Sequence, residues 1–172
     1  MLTKNTPAKK AKTAKTKPPT NYRLNIGEKV PDFSLPATGD SQFNLSDFKG
    51  KKIVLYFYPK DSTPGCTVEG LEFSALLPKF KRKNTLVFGI SRDSLKSHEN
   101  FKCKQSFSFD LLSDQDETAC EIFEVIKEKN MYGKKVMGIE RSTFVIDEHG
   151  KLLNEWRKVK AEGHAQEVLE SL

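Results

Sequence analysis

Residues 52 to 58, KIVLYFY, form a continuous apolar run that is rich in β-branched and aromatic side chains. A strand of this kind is typically covered on both faces, so the run predicts a central strand of a buried sheet. A second buried strand is predicted at residues 85 to 93, TLVFGISRD. Between the two, residues 64 to 83 carry apolar side chains at three- and four-residue intervals, which predicts a helix. This order of elements favours an α/β fold.

The rest of the chain continues the alternation of strands and helices. Two short strands are expected on either side of a turn at residues 38 to 40, and the last two strands are expected to form a hairpin. Further helices are predicted at 94–105, 117–124 and 163–172, and further strands at 109–114, 139–147 and 151–157. Together these elements predict one α/β domain over residues 24 to 172, with a mixed sheet.

The first 20 residues differ from this domain in composition. They hold six lysines, no acidic residue and almost no large apolar residue, so we expect a disordered tail. Without those six lysines, the 23 remaining basic residues equal the 23 acidic ones, although the chain carries a net charge of +6. The tail is expected to aid solubility, to bind nucleic acid or another polyanion loosely, or to act as a localisation signal.

The chain has three cysteines, at positions 66, 103 and 120, and no pair of them has CxxC spacing. It has neither an apolar export signal nor a run of 18 apolar residues, so neither secretion nor a membrane span is expected. Reduced thiols in a cytoplasmic protein fit this pattern better than a disulfide framework. With three histidines, no zinc cluster is expected.

The stretch STPGC, residues 62 to 66, places one of these thiols at the start of a predicted helix. Thr63 is suited to the N-cap and Pro64 to the first helical position, so Cys66 falls in the first turn. There the backbone N–H groups lack helical partners and the helix dipole is positive, which favours the thiolate over the thiol. The alternative is that Cys66 packs as a small apolar residue.

Three chemistries use such a thiolate. A dithiol oxidoreductase needs a second cysteine three residues away, where this chain has Thr63. A cysteine protease needs a histidine base, but His98 lies in a polar stretch, KSHENF, and is expected at the surface. Peroxide reduction needs neither partner, since it needs a thiolate and donors that polarise the O–O bond, and it yields a sulfenic acid.

The stretch YPKDSTPGCTVE resembles the signature of the peroxiredoxins, with Pro59, Thr63 and Cys66 matching PxxxTxxC. The segments GISRDS, LLSD and YGKKVMGIERSTFVID are similar to the bacterioferritin-comigratory-protein branch, also called PrxQ. The likeness covers about residues 24 to 172. It implies a thioredoxin-like α/β fold in the peroxiredoxin variant, with a mixed central sheet flanked by helices.

The resemblance also implies roles for individual residues. Cys66 would be the peroxidatic cysteine, and Thr63 would hydrogen-bond its sulfur and the peroxide. Pro59 would shield the pocket from water, and Arg141 would lie beside the thiolate, favour its charge and grip the peroxide oxygen. Glu69 matches an acid common in the family, with an ordinary helix-surface acid as the alternative.

Many members of this branch carry a resolving cysteine five residues after the peroxidatic one, where this chain has Leu71. Another subset carries it on the next helix, and Cys103 lies 37 residues after Cys66, between two lysines. The resemblance therefore implies an intramolecular disulfide between Cys66 and Cys103. An external thiol or Cys120 are the alternatives, although the apolar neighbours of Cys120 indicate a buried, inert thiol.

These features predict a thiol-dependent peroxidase that reduces hydrogen peroxide and organic hydroperoxides. The family implies thioredoxin or a similar dithiol protein as reductant, no haem, flavin or metal cofactor, and a monomer. Two other functions remain open at this point. One is a peroxide sensor or redox relay that passes its oxidation to a partner, and the other is a polyanion-binding protein that acts through the lysines of residues 1 to 20.

Overall fold

The computed structural model describes residues 23 to 172, so the predicted tail at residues 1 to 20 lies outside the described part of the chain. Within residues 23 to 172, strands and helices alternate much as the sequence predicts. The strands are β1 (Ser34–Ala37), β2 (Ser41–Asn44), β3 (Lys52–Phe57), β4 (Thr85–Ser91), β5 (Leu111–Ser113), β6 (Ile126–Met131), β7 (Lys134–Ile139), β8 (Ser142–Ile146) and β9 (Leu152–Trp156). The helices are α1 (Pro64–Arg82), α2 (Leu95–Gln105), α3 (Thr118–Phe123) and α4 (His164–Glu170), with a 3-10 turn at Leu45–Phe48. None of the helices in this described part is long and apolar enough to cross a membrane.

Seven strands form one sheet in the order β2-β1-β5-β4-β3-β8-β9. The predicted central strand β3 pairs in parallel with β4 on one side and antiparallel with β8 on the other. The sheet is therefore mixed, as predicted, and the carboxyl end of β3 leads directly into the loop that precedes Cys66.

The two faces of β3 pack into two separate cores. Ile53, Leu55 and Phe57 belong to the core that contains Phe123 of α3, which we call the α3 core. Val54 and Tyr56, together with Tyr58 just after the strand, belong to the core that contains Phe73 of α1, which we call the α1 core. Alternate side chains of β3 thus enter opposite layers, and this explains why its sequence is apolar throughout.

Helices α1 and α2 are held together at a glycine. A Cβ atom on Gly70 of α1 would lie 2.4 Å from the ring of Phe107, which follows α2, so only glycine allows this approach. Ser106 ends α2 in the left-handed conformation, with φ of 54°, and Phe107 then enters the α1 core. The end of α2, which carries Cys103, is fixed against α1 in this way.

Residues 126 to 139 differ from the prediction. Strands β6 and β7 pair with each other in a separate two-stranded sheet, through a turn in which Tyr132 and Gly133 both have positive φ. The single strand predicted at 139–147 is wrong. Ile139 pairs with Ile126 in the hairpin, whereas Ser142 pairs with Phe57 in the main sheet. The chain changes sheets between them, and Arg141 lies in that short connection instead of within a strand.

Candidate active site

The start of α1 forms as the sequence predicts. Thr63 occupies the N-cap position with extended backbone, and Pro64 is the first helical residue. The Thr67 backbone N–H donates to the Thr63 carbonyl at 2.9 Å, which closes the first turn around Cys66. Cys66 is 2% exposed, and its side chain belongs to the α1 core. The thiol is therefore held under the helix start in a largely dry environment.

Arg141 provides the charged partner that the resemblance implies. Its Nη2 donates to the Cys66 sulfur at 3.4 Å, and its Nη1 donates to Glu69 Oε1 at 2.9 Å. The side chain of Arg141 is 16% exposed. A planar guanidinium can make both contacts at once, so Glu69 fixes the orientation in which Arg141 faces the sulfur. This arrangement favours a negative charge on the sulfur.

Glu69 is a buried acid, so the alternative that it is an ordinary helix-surface acid does not hold. It lies one turn after Cys66 on the same face of α1 and is 0% exposed. Burial raises the pKa of Glu69 to about 7, and the nearby Arg141 guanidinium opposes that rise. Among the described residues, its Oε2 atom has no hydrogen-bond partner. Burial thus disfavours the carboxylate form of Glu69, whereas the ion pair with Arg141 favours it.

Thr63 and Pro59 flank the site in the loop after β3. The Thr63 hydroxyl donates to the Lys60 carbonyl at 2.8 Å, so its proton is directed into the loop and not toward the sulfur. Pro59 is half-buried. The contact of Thr63 with peroxide and the shielding of the pocket by Pro59 stay predictions.

The three cysteines are all free thiols. Cys103 is exposed near the end of α2, as its lysine neighbours indicate. Cys120 is buried in the α3 core, where burial raises the pKa of its thiol, and a reactive role is disfavoured there. Cys66 lies in the α1 core, so the sheet separates Cys66 from Cys120.

The prediction that His98 lies at the surface is wrong, because His98 is 0% exposed. Its Nδ1 lies 2.7 Å from Asp61 Oδ2, and its Nε2 lies 3.0 Å from the Leu112 carbonyl. Sequence reasoning missed this pair because the residues around His98 are polar. The spacing of His98 and Phe101, both buried on one face of α2, is the signal that could have revealed it.

Asp61, Asp93 and His98 are the described residues that could in principle hold a metal, since their ligand atoms all lie within 4.8 Å of one another. Two ligand atoms of a tetrahedral zinc ion, each about 2.0 to 2.1 Å from the metal, lie about 3.3 Å apart. The 2.7 Å between His98 and Asp61 is shorter and has the length of a hydrogen bond. This arrangement fits a shared proton better than a metal ion.

A second cation, which the sequence did not reveal, reaches the site from the hairpin. The side chain of Lys129, in β6, packs over Gly138, where an added Cβ would lie 3.4 Å from Lys129 Cδ. The ammonium of Lys129 donates a hydrogen bond to the Ile139 carbonyl. Burial lowers the pKa of Lys129, and Arg141 lowers it further, whereas Cys66 raises it. The hairpin therefore places an ammonium group at Ile139, two residues before Arg141 in the sequence.

An open cleft of about 510 Å³ lies beside the guanidinium of Arg141. Its walls come from the start of α1 and from the loop between β9 and α4. They consist of Pro64, Gly65, Val68, Arg141, Val159, Lys160, Ala161 and Glu162. The cleft leads from solvent toward the group that contacts the Cys66 sulfur.

Comparison with known proteins agrees with this geometry. The sequence profile described as the AhpC/TSA family matches residues 26 to 154. The chain belongs to this family. It is 56% identical over 141 residues to Peroxiredoxin Bcp of Xanthomonas campestris, covering 82% of this chain and 88% of that protein. It is 47% identical to Peroxiredoxin Bcp of Bacillus subtilis, with 87% and 95% covered.

Solved structures agree with the fold. A PrxQ mutant from Xylella fastidiosa aligns with a TM-score of 0.83 and 49% identity, over 87% of this chain and 96% of that one. The predicted thioredoxin-like fold and the resemblance to the Bcp/PrxQ peroxiredoxins are confirmed. The chain is accordingly a thiol-dependent peroxidase, an oxidoreductase, and the family implies a peroxide substrate and a thioredoxin-type reductant.

Proposed function

We propose that Cys66 is the peroxidatic cysteine of this enzyme. Its thiolate attacks one oxygen of the peroxide, the O–O bond breaks, and the product is a Cys66 sulfenic acid. The other oxygen leaves as hydroxide or alkoxide and takes up a proton. The observation that supports this role is the contact between Arg141 and the sulfur, since Arg141 favours the thiolate and can stabilise the charge that moves to the leaving oxygen.

Thr63 and Pro59 are proposed to complete the pocket at the helix start. Thr63 can turn its hydroxyl from Lys60 toward a bound peroxide, and Pro59 covers the loop side. Glu69 is proposed to orient Arg141. Every electron in this cycle moves through sulfur, so we propose that the enzyme works without a cofactor.

Cys103 is proposed to resolve the sulfenic acid. Its thiol attacks the Cys66 sulfur, a disulfide forms and water leaves, after which thioredoxin or a similar dithiol protein restores both thiols. The helix that carries Cys103 packs through Phe101 on the α1 core, on the side of the sheet where Cys66 lies. Cys120 lies on the other side. Disulfide geometry requires Cα atoms within about 7 Å, so the first turn of α1 is proposed to unwind when Cys66 is oxidised.

Replacing Cys103 with serine is expected to reduce thioredoxin-dependent turnover at least about tenfold, because the sulfenic acid loses its internal partner. The variant should still consume one equivalent of peroxide. Steady peroxide consumption with thioredoxin, followed by mass spectrometry of the oxidised peptides, measures both effects.

Cys120→Ser is the matched control and should remain near wild type. A peptide that links Cys66 to Cys120 would reject the assignment of Cys103. Unchanged turnover in Cys103→Ser would favour an external thiol as resolver. If the wild type oxidises once and then stops in the presence of thioredoxin, it acts as a sensor or relay.

The cleft beside Arg141 favours organic hydroperoxides as substrates in addition to hydrogen peroxide. Val68, Val159 and Ala161 offer apolar surface that an alkyl chain can cover while its peroxide group approaches Arg141. A relative at 53% identity, the bacterioferritin comigratory protein of Xanthomonas campestris, has alkyl peroxide reduction activity and aligns with a TM-score of 0.80 over 86% of this chain and 94% of that one.

The variant Val159→Asn tests the cleft. It keeps the backbone hydrogen bond from Val159 to the Arg141 carbonyl but replaces apolar surface with an amide. We expect kcat/KM for cumene hydroperoxide to fall about fivefold, the effect of about 1 kcal/mol of lost apolar contact. The value for hydrogen peroxide should change less than about twofold. Val136→Asn, on the exposed hairpin, is the control, and an equal fall for both peroxides would contradict a role in selectivity.

A further inference from the structure

The loop between β3 and α1 carries a buried carboxylate that the peroxidase chemistry does not use. Asp61 is 6% exposed, and its Oδ1 accepts a hydrogen bond from the Tyr58 hydroxyl at 2.6 Å. Its Oδ2 accepts from the Ser97 hydroxyl at 2.8 Å and lies 2.7 Å from His98 Nδ1. Its own backbone N–H donates to Asp93 at 2.9 Å. One carboxylate thus joins the loop that leads to Cys66 with the start of α2.

The proton positions make this a strong connection. A backbone carbonyl only accepts hydrogen bonds, so His98 Nε2, at 3.0 Å from the Leu112 carbonyl, carries a hydrogen. The Nδ1 atom then faces the carboxylate of Asp61 across a distance that requires a shared proton. Three side chains, Tyr58, Ser97 and His98, thus converge on the one carboxylate of Asp61. His98 in turn anchors α2 to β5.

Each end of this connection lies close in sequence to one of the two cysteines. Asp61 lies five residues before Cys66, and His98 lies five residues before Cys103 on α2. In the described structure Cys66 is buried and Cys103 is exposed, so a bond between their sulfurs needs the loop, α2 or both to move. The contacts of Asp61 with Ser97 and His98 resist that movement.

We propose that Asp61, Ser97 and His98 form a latch that holds the active-site loop to α2 and sets how readily oxidised Cys66 leaves its pocket to meet Cys103. This inference rests on the proposed pairing of Cys66 with Cys103. The Cys66 sulfenic acid has two fates: the Cys103 thiol converts it to a disulfide with loss of water, or a second peroxide oxidises it to a sulfinic acid, itself losing its O–O bond to give water or an alcohol. A closed latch prolongs the life of the sulfenic acid and so favours the second fate.

Two variants open the latch to different degrees. His98→Leu removes the imidazole contacts with Asp61, the Tyr58 hydroxyl and the Leu112 carbonyl and keeps an apolar side chain in the buried site. Ser97→Ala removes only one hydroxyl from Asp61. His164→Leu is the matched control, because His164 is also buried and bonds Thr143 at 2.8 Å, but it lies on α4 away from the loop. Circular dichroism establishes which variants fold. If His98→Leu does not fold, the result for Ser97→Ala decides the test.

After one oxidation by a peroxide pulse, we expect disulfide formation to be about tenfold faster in His98→Leu and about threefold faster in Ser97→Ala. The peroxide concentration that converts half of the enzyme to the sulfinic acid should rise by the same factors, measured by mass spectrometry. His164→Leu should match the wild type in both measurements. Folded variants with wild-type or slower disulfide formation would overturn the latch.

A second readout separates this proposal from the proposed pairing. In a Cys103→Ser background, the rate at which a bulky maleimide labels Cys66 in the reduced protein reports loop opening without any disulfide. The latch predicts faster labelling in Ser97→Ala and His98→Leu and an unchanged rate in His164→Leu, and equal rates would overturn it. If the wild type forms no bond between Cys66 and Cys103 but the labelling rates differ as expected, only the pairing fails.

Discussion

Replacing Cys66 with serine is expected to lower peroxide turnover with thioredoxin by at least about 10³-fold, to the background rate. Single removal of a catalytic nucleophile from other enzymes has effects of this size or larger. A serine hydroxyl stays protonated at neutral pH and cannot be oxidised to a sulfenic acid, so the Arg141 contact then has no charged sulfur to stabilise. Peroxide consumption under steady-state conditions measures the loss.

The fold should survive this change. Serine is nearly isosteric with cysteine, and the Arg141 guanidinium that contacts the sulfur can donate to its hydroxyl instead. Thermal unfolding should therefore be similar to that of the wild type, and Cys120→Ser provides a thiol-deletion control on the other side of the sheet. Substantial turnover by folded Cys66→Ser would place the reactive thiol at another position and remove the basis of the proposed cycle.

The parts of this site that local sequence determines could be predicted. Thr63 and Pro64 define the helix start, and so they place Cys66 in its first turn without knowledge of the tertiary fold. The continuous apolar sequence of β3 likewise indicates a strand between two layers, and the structure places its alternate side chains in two cores. In both cases a few neighbouring residues carry the whole signal.

The contacts that depend on distant residues could not be predicted. Polar neighbours conceal the burial of His98, which depends on Asp61 from another loop. The hairpin of β6 and β7 has mostly exposed side chains, so its strands show no apolar face, and its turn begins with Tyr132 where asparagine would be the usual signal. Because the sequence does not reveal this hairpin, it predicts one continuous strand that contains Arg141. It also gives no sign that Lys129 approaches the site.

Replacing Arg141 with glutamine is expected to lower kcat/KM for hydrogen peroxide by about 10² to 10³, the effect of removing one preorganised donor from a transition state. The guanidinium contacts the Cys66 sulfur and is proposed to stabilise the oxygen that leaves, so its loss should affect both the amount of thiolate and the reaction step. The pH dependence of Cys66 alkylation measures the first contribution, and single-turnover peroxide kinetics at a pH where Cys66 is fully ionised measures the second.

Glu69 determines whether this variant stays folded. Burial raises the pKa of Glu69 to about 7 while Arg141 lowers it, so removal of Arg141 should raise that pKa further and leave Glu69 a neutral acid at pH 7. A neutral buried acid costs much less free energy than an unpaired carboxylate, and we therefore expect a folded protein. Arg157→Gln is the matched control, because Arg157 is similarly buried. Its ion pair with Glu155, at 3.4 Å, lies in a part of the structure away from Cys66.

For the variant Arg141→Lys, kcat/KM should fall between the values for Arg141→Gln and the wild type. An ammonium keeps the charge but cannot reach the sulfur and Glu69 together as a planar guanidinium does. Wild-type kcat/KM in folded Arg141→Gln would mean that the helix start alone activates Cys66.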